Sequence, residues 1–189
     1  MHTQRGSDAI KDWPEESREP AQLVIDKYGE PHEATESLLI WHGVGPWKRV
    51  VASKAFYQHD FPAPHIDAVE SVIDYKVPAE YFTPLAEYDG SVIVERTAGE
   101  VSARCHDEQS NSLAHNQMND VVTGAKSAEE AREYYAKEFL DFRRKKPTPY
   151  MDQLRFEPRD GTGDPDVRLL SDQDLKQAVE EGNEEERTQ

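Results

Sequence analysis

The spacing of hydrophobic residues along this chain alternates between the period of a helix and the period of a strand. From Trp13 to Tyr28, apolar residues recur three and four positions apart, which predicts a helix that ends at Gly29. The segments 36–42 and 47–54 instead hold short runs of apolar and β-branched residues, separated by a loop with glycine and proline. We therefore expect a first antiparallel hairpin here.

A second hairpin is predicted around an Ala-Gly dipeptide. The runs 91–97 and 100–106 on either side of it alternate apolar and polar residues. A two-residue turn would pair Val94 with Ala103. This register places all valines of both runs on the same face as Cys105, and the agreement between turn and alternation favours the hairpin.

Helical spacing also occurs in several other segments of the chain. They are 64–74, 79–88, 107–123 and 127–146. Pro64 suits the first turn of a helix, where no backbone N–H donor is needed, and Ser127 with Glu130 forms a capping box at the start of another. Hairpins separated by helices predict an α+β fold, in which two antiparallel β-hairpins form a small sheet with helices packed on one face.

The acidic residues concentrate toward the end of the chain. The whole chain has 38 acidic and 22 basic side chains, a formal charge of −16, and residues 158–189 account for −6 of it. Because this tail has few apolar residues, we expect it to be largely disordered. Residues 1–12 are predicted to be a flexible N-terminus, which leaves 13–157 as a single α+β domain. The basic run Arg143–Lys146 is expected to balance a helix dipole and to contact the tail.

Composition excludes several classes of protein. A single cysteine excludes a disulfide scaffold, and no apolar run approaches the ~20 residues of a membrane span. The negative charge disfavours nucleic acid as a partner, since phosphate binding needs a basic surface. The first residues lack the apolar centre of a signal peptide, so we expect a cytoplasmic protein. The dense carboxylates fit a halophilic protein or ordinary solubility through net charge, and both interpretations stay open.

The segment from His59 to Asp67 gathers two imidazoles and two carboxylates around prolines. Nitrogen and oxygen donors of this kind suit a divalent metal, and the prolines lower the entropy cost of presenting them. We predict His59, His65 and Asp67 as candidate metal ligands. If this segment is helical, however, His65 and Asp67 do not share a face. The alternative is a loop anchored by Phe61 and Ile66 that carries its histidines as surface groups or caps.

The first hairpin carries two tryptophans beside cationic side chains. The four candidate ligand-binding residues here are Trp41, His42, Trp47 and Arg49. They would form an aromatic clamp for a flat or anionic ligand. The alternative is that the indoles pack against each other across the hairpin and stabilise it. The glycines between them do not match a phosphate-binding loop.

Cys105 is followed directly by a histidine, which invites comparison with a nucleophile and its base. On a strand, however, neighbouring side chains point to opposite faces, so His106 cannot activate the thiol. His115 on the next helix is a more distant candidate base. We expect Cys105 to be a small buried apolar residue.

Three stretches resemble an uncharacterised family of bacterial hypothetical proteins with no assigned function. They are GPWKR at 45–49, HDFPAPH at 59–65 and DGSVIVERT at 89–97. The resemblance covers roughly residues 13–157 and leaves out the tail. It implies a bacterial or archaeal source, and no fold, activity or cofactor.

Two hypotheses about function follow from these patterns. The absence of a coherent catalytic motif favours a soluble, non-catalytic binding or accessory protein, whose partner is another protein or a small molecule and not a membrane. The alternative is a metal-dependent, hydrolase-like enzyme that uses the loop with His59, His65 and Asp67. In that case a metal-bound water would be the nucleophile.

Overall fold

The structure, a computed structural model, describes residues 5–159, 161, 163 and 166–188. Within these residues it is a mixed α+β fold, with a six-stranded antiparallel open sheet. The helices are α1 (Gly6–Ala9), α2 (Glu15–Tyr28), α3 (Phe82–Tyr88), α4 (Glu108–Val122), α5 (Ala128–Arg143), α6 (Pro149–Asp152) and α7 (Asp172–Thr188), with 3-10 turns at Ile10–Asp12 and Ala79–Tyr81. The strands are β1 (Glu33–Ala34), β2 (Leu38–Val44), β3 (Trp47–His59), β4 (His65–Asp74), β5 (Val92–Glu95) and β6 (Glu100–Cys105).

The strands are arranged in the order β1-β2-β3-β4-β6-β5, and every neighbouring pair is antiparallel. Within this sheet β2 pairs with β3 and β5 pairs with β6. They belong to one continuous sheet because β4 pairs with β3 on one side and with β6 on the other. The centre of the sheet is thus a strand that the sequence pattern does not predict.

The predicted helix over 64–74 is wrong, since this segment is β4. Side chains on both faces of the strand are buried, Val69 and Ile73 on one face and Ala68 and Val72 on the other. A central strand covered on both faces has nearly continuous apolar residues, and such a run also contains the spacing of a helical face. Pairing with strands that are distant in sequence therefore decides its conformation.

The register predicted for the second hairpin is also wrong, by two residues. Val94 lies opposite Val101 and not opposite Ala103, which pairs with Val92. The connection spans 96–99, and the N–H of Gly99 donates to the carbonyl of Arg96 at 3.2 Å. A shift of two residues preserves the faces of a strand. The predicted apolar face is consequently confirmed, although the turn is longer than expected.

Local signals at the helix ends are confirmed. Gly29 ends α2 with a φ of 80°, a conformation that glycine adopts without strain. Ser127 and Glu130 form the capping box of α5, and the Asp107 side chain accepts a hydrogen bond from the N–H of Ser110 at the start of α4. These signals act over three or four residues, so they do not depend on the rest of the fold.

Both ends of the chain contain helical residues. Ala9 and Ile10 are buried, so the segment predicted as a flexible N-terminus contributes to the core. Part of the predicted disordered tail forms α7, whose side chains are exposed as far as residue 183. Residues 1–4, 160, 162, 164, 165 and 189 lie outside the described residues. No helix in the described ranges is long and apolar enough to cross a membrane.

Candidate metal centre

The candidate centre begins at the end of the β3–β4 hairpin. His59 is the last residue of β3 and His65 is the first residue of β4, and the two lie directly opposite each other. Their ring centroids are 4.9 Å apart. Antiparallel pairing therefore brings together two imidazoles that a five-residue loop separates in the sequence.

Phe61 holds this loop against the body of the protein. Its ring packs against Tyr135, with centroids 5.2 Å apart, and the Arg132 guanidinium lies 3.8 Å from its centroid on one face. Arg132 in turn donates a hydrogen bond to the carbonyl of Tyr88 at 2.8 Å. The peptide bond between Phe61 and Pro62 is cis. Phe61 therefore anchors the loop, as the sequence suggested. The same loop also brings the two histidines together, so anchoring and clustering are compatible.

Asp67 completes the cluster from β4. Because side chains two apart on a strand share a face, Asp67 lies on the same side of the sheet as His65, which corrects the expectation from a helix. Its Oδ1 is 3.0 Å from His65 Nε2, and its Oδ2 is 3.2 Å from His59 Nδ1. One donor atom from each of the three residues lies within 4.8 Å of the others. The structure therefore brings together all three predicted metal ligands.

Two residues just before β5 contact this triad. The Ser91 hydroxyl donates a hydrogen bond to Asp67 Oδ2, and the Ser91 N–H donates to Asp89 Oδ1 at 2.8 Å. Asp89 Oδ1 also lies 3.7 Å from His59 Nε2. No local signal in the sequence connects Asp89 and Ser91 to residues more than 20 positions earlier, because only the order of the strands makes them neighbours.

The centre is buried and rich in carboxylate. The Asp67 side chain is 1% exposed, against 19% for His59 and 16% for His65. Burial alone would lower the pKa of the His65 imidazole, but Asp67 and Cys105 outweigh it and raise this pKa to about 11. Burial raises the pKa of Asp89. A buried carboxylate is costly unless a cation compensates it, so this cluster favours either protonated imidazole or a bound metal ion.

Cys105 reaches the centre from β6. Its Sγ lies 3.4 Å from His65 Nε2, because β6 pairs with β4 and Cys105 is opposite Val69. The sequence excluded His106 as a base for this thiol and left His115 as a distant candidate, whereas the histidine in contact is His65. Burial raises the pKa of the Cys105 thiol, which favours its neutral form.

A cavity of about 190 Å³ opens beside the centre. His65 and Cys105 line its inner end, and aromatic side chains of α5 line its wall. His65 therefore borders the buried carboxylates on one side and an open cavity on the other.

The predicted aromatic clamp is not formed. Trp41 and Trp47 are buried in the core, and the Trp41 indole donates a hydrogen bond to the carbonyl of Gly29 at 2.9 Å. His42 is exposed and lies 2.5 Å from Glu33, whereas Arg49 binds Glu100 through both guanidinium nitrogens. The structure does not bring these four predicted ligand-binding residues into one open site.

No family model, curated protein or solved structure matches this chain. The resemblance to a group of bacterial proteins therefore stays a prediction. We infer a function from the geometry of the centre and from the chemistry of its donors.

Proposed function

We propose that this chain binds a divalent transition-metal ion through His59, His65 and Asp67. The observation that supports this proposal most directly is the Asp67 carboxylate. It is buried and faces both imidazoles, yet its Oδ1 has no hydrogen-bond partner of acceptable geometry within the described residues. A buried carboxylate oxygen in this position is a ready ligand for a cation.

The donor set narrows the class of metal. Two imidazoles and one carboxylate suit Zn²⁺, Fe²⁺ or Mn²⁺, and sites with three protein ligands leave coordination positions for water or substrate. Zinc lies about 2.0–2.2 Å from its nitrogen and oxygen ligands. The donor atoms of the three residues, which lie within 4.8 Å of one another, therefore have to move closer together by side-chain rotation when the ion binds. The exposed edges of the two imidazoles leave room for this movement. Metal binding would also replace the proton on His65.

The packing of α4 on the sheet would shield the proposed metal site from solvent. We infer that α4 packs on the face of β4 that carries Val69 and Ser71, since Asn111 of α4 donates hydrogen bonds to the Val69 carbonyl at 3.1 Å and to the Ser71 hydroxyl at 3.0 Å. Asp67 shares this face, because it is two and four residues away from Val69 and Ser71 on the same strand. The metal ligands would then lie between the sheet and the helices, where few waters compete with the carboxylate for the ion.

Elemental analysis of the full chain, purified without a histidine tag, tests the proposal. We expect about one equivalent of metal per chain, and its loss in H59A and in H65A. H42A is the matched control, because His42 is an exposed histidine outside the cluster and should leave the metal content unchanged. Background metal in the unmodified chain, together with no thermal shift on addition of Zn²⁺, Mn²⁺ or Fe²⁺, would contradict the proposal.

A metal-dependent hydrolase is a second candidate function, and the cavity beside His65 favours it. A metal held by His65 would be within reach of a molecule in that cavity, and a metal-bound water is a nucleophile near neutral pH. A non-catalytic metal-binding protein would contain the same amount of metal but would hydrolyse no substrate. Hydrolysis of a panel of esters, amides and phosphoesters by the metal-loaded chain separates the two, provided that H59A abolishes any activity and H42A retains it.

A further inference from the structure

The cavity beside His65 has an apolar wall and a cationic rim. The wall consists of Tyr135, Phe139 and Phe142 of α5 together with Met151 of α6, and the rim includes Arg143. Engineered cavities of about 150 Å³ bind benzene, so a volume of about 190 Å³ holds one aromatic ring with a short substituent. The size and lining of the cavity thus suit a small, largely apolar molecule.

Arg143 is the unusual part of this lining. Its guanidinium lies 4.2 Å from the centroid of the Phe139 ring, which fixes the cation at the mouth of the cavity. Within the described residues the side chain of Arg143 has no ion pair or hydrogen bond, whereas that of the next residue, Arg144, lies 3.8 Å from Asp141. In a chain with 38 acidic and 22 basic side chains, a guanidinium without a carboxylate partner beside an apolar cavity indicates an anionic ligand.

Two other charged side chains of the cavity, His65 and Asp107, are already engaged, and His65 Nε2 lies 3.0 Å from the buried Asp67 carboxylate. Asp107 lines the cavity, but its carboxylate accepts a hydrogen bond from the Ser110 N–H at 2.8 Å as the N-cap of α4. An anion is therefore placed most favourably at the rim near Arg143, away from Asp107, with its apolar part directed inward toward His65 and Cys105.

We propose that this cavity binds a small monocarboxylate with a flat apolar body, such as an arylalkanoate. The carboxylate pairs with Arg143, and the apolar body packs against Tyr135, Phe139 and Phe142. The inference rests on the proposed metal function in one respect, since the inner end of the ligand would meet the metal at His65. Binding itself requires only the cavity and Arg143.

Calorimetric titration of the full chain in EDTA tests this proposal with two matched probes, 3-phenylpropionate and its neutral amide. We expect saturable binding of the carboxylate and at least tenfold weaker binding of the amide. R143Q should weaken carboxylate binding about tenfold and leave amide binding unchanged, because charge-assisted pairing is lost. R144Q is the matched control and should bind both probes like the unmodified chain.

A second variant tests the position of the ligand. S110W places a large side chain in the cavity from the first turn of α4, so it should abolish binding of both probes while circular dichroism confirms the fold. Equal binding of acid and amide, an equal loss in R143Q and R144Q, or no saturable binding of the acid would each overturn the proposal. These titrations use metal-free protein. A negative result would therefore not contradict the proposed metal site, and a chain that binds no metal would still be expected to bind the carboxylate.

Discussion

Two buried carboxylates, contacted from opposite ends of β3, show how a structural ion pair differs from a binding site. Near the start of the strand, Arg49 binds both oxygens of Glu100, at 3.0 and 2.6 Å, and Lys48 lies 2.8 Å from it. At the other end, Asp67 contacts the imidazoles of His59 and His65 and the hydroxyl of Ser91. Arginine and lysine are permanent cations, whereas an imidazole can exchange its proton for a metal ion.

This difference appears in the electrostatics of the two acids. Arg49 and Lys48 lower the pKa of Glu100 to about 2, against the effect of burial, so this carboxylate is ionised and fully paired across the physiological range. Asp67 Oδ1 lies 3.0 Å from His65 Nε2 but accepts no hydrogen bond of acceptable geometry from the described residues. We therefore expect Glu100 to contribute to stability and Asp67 to contribute to binding.

The largest expected effect is the loss of metal affinity in D67N. Removing one of three ligands should weaken Zn²⁺ binding about 1000-fold, and the thermal stabilisation by Zn²⁺ should disappear. Competition with a chromophoric chelator measures the affinity. E100Q is the matched control, a carboxylate-to-amide change outside the centre. If both variants lose affinity equally, the distinction between the two acids is wrong.

A second prediction uses a buried imidazole that has no acidic partner. His115 is fully buried, its Nε2 donates to the Ser71 carbonyl at 2.8 Å, and burial lowers its pKa to about 4. As the pH falls, the unfolded chain binds the proton first, near pH 6.5. The contribution of His115 is therefore complete above pH 6.5 and is lost between pH 6.5 and pH 4, by about 3 kcal/mol.

Urea denaturation at several pH values measures this dependence. H115Q, which keeps a donor for the Ser71 carbonyl and cannot titrate, should show a flatter profile over the same interval. An equal slope in the two proteins would mean that other groups are responsible for the loss of stability.

A third prediction concerns Glu100 itself. E100Q leaves Arg49 and Lys48 without their shared carboxylate and should lower the free energy of unfolding by about 2 kcal/mol at pH 7, less than for a fully buried pair because Lys48 is partly exposed. Since the folded pKa is lowered, this contribution is present above about pH 4.5 and is lost as the pH falls through about 2. A difference from the unmodified chain that grows on acidification would contradict this account.

The smallest effect is expected at Ser91. In S91A the Asp67 carboxylate loses the hydroxyl that donates to Oδ2, so Zn²⁺ affinity should fall about tenfold while one equivalent of metal still binds. Threonine restores the hydroxyl, so S91T should recover most of the affinity. An S91A variant that loses all metal would instead indicate that Ser91 is needed to form the centre.

The three residues that the sequence grouped as candidate ligands lie together in the structure, on an element that the sequence did not predict. His59, His65 and Asp67 are correctly brought together, although the segment from Pro64 was assigned to a helix. The reason is that residues six apart across a tight hairpin loop lie opposite each other, and residues two apart on a strand share a face. The strand that replaces the predicted helix therefore makes the cluster more compact than expected.

Other errors come from contacts between distant parts of the chain. The pairing of β4 with β6 places Cys105 beside His65, and the segment just before β5 adds Asp89 and Ser91. Likewise, the indoles of Trp41 and Trp47 enter the core and do not form a surface clamp. Neither composition nor spacing specifies which strands become neighbours.

By itself, the sequence determined the features that depend on a few consecutive residues: the end of α2 at Gly29, the capping box of α5, and the shared apolar face of β5 and β6. Only the tertiary structure decided that 65–74 is the central strand, since burial on both faces removes the alternation that identifies a strand. The same strand determines which side chains surround Asp67. The three donor residues of the centre are close in sequence, whereas Ser91, Asp89 and Cys105 reach it from distant parts of the chain.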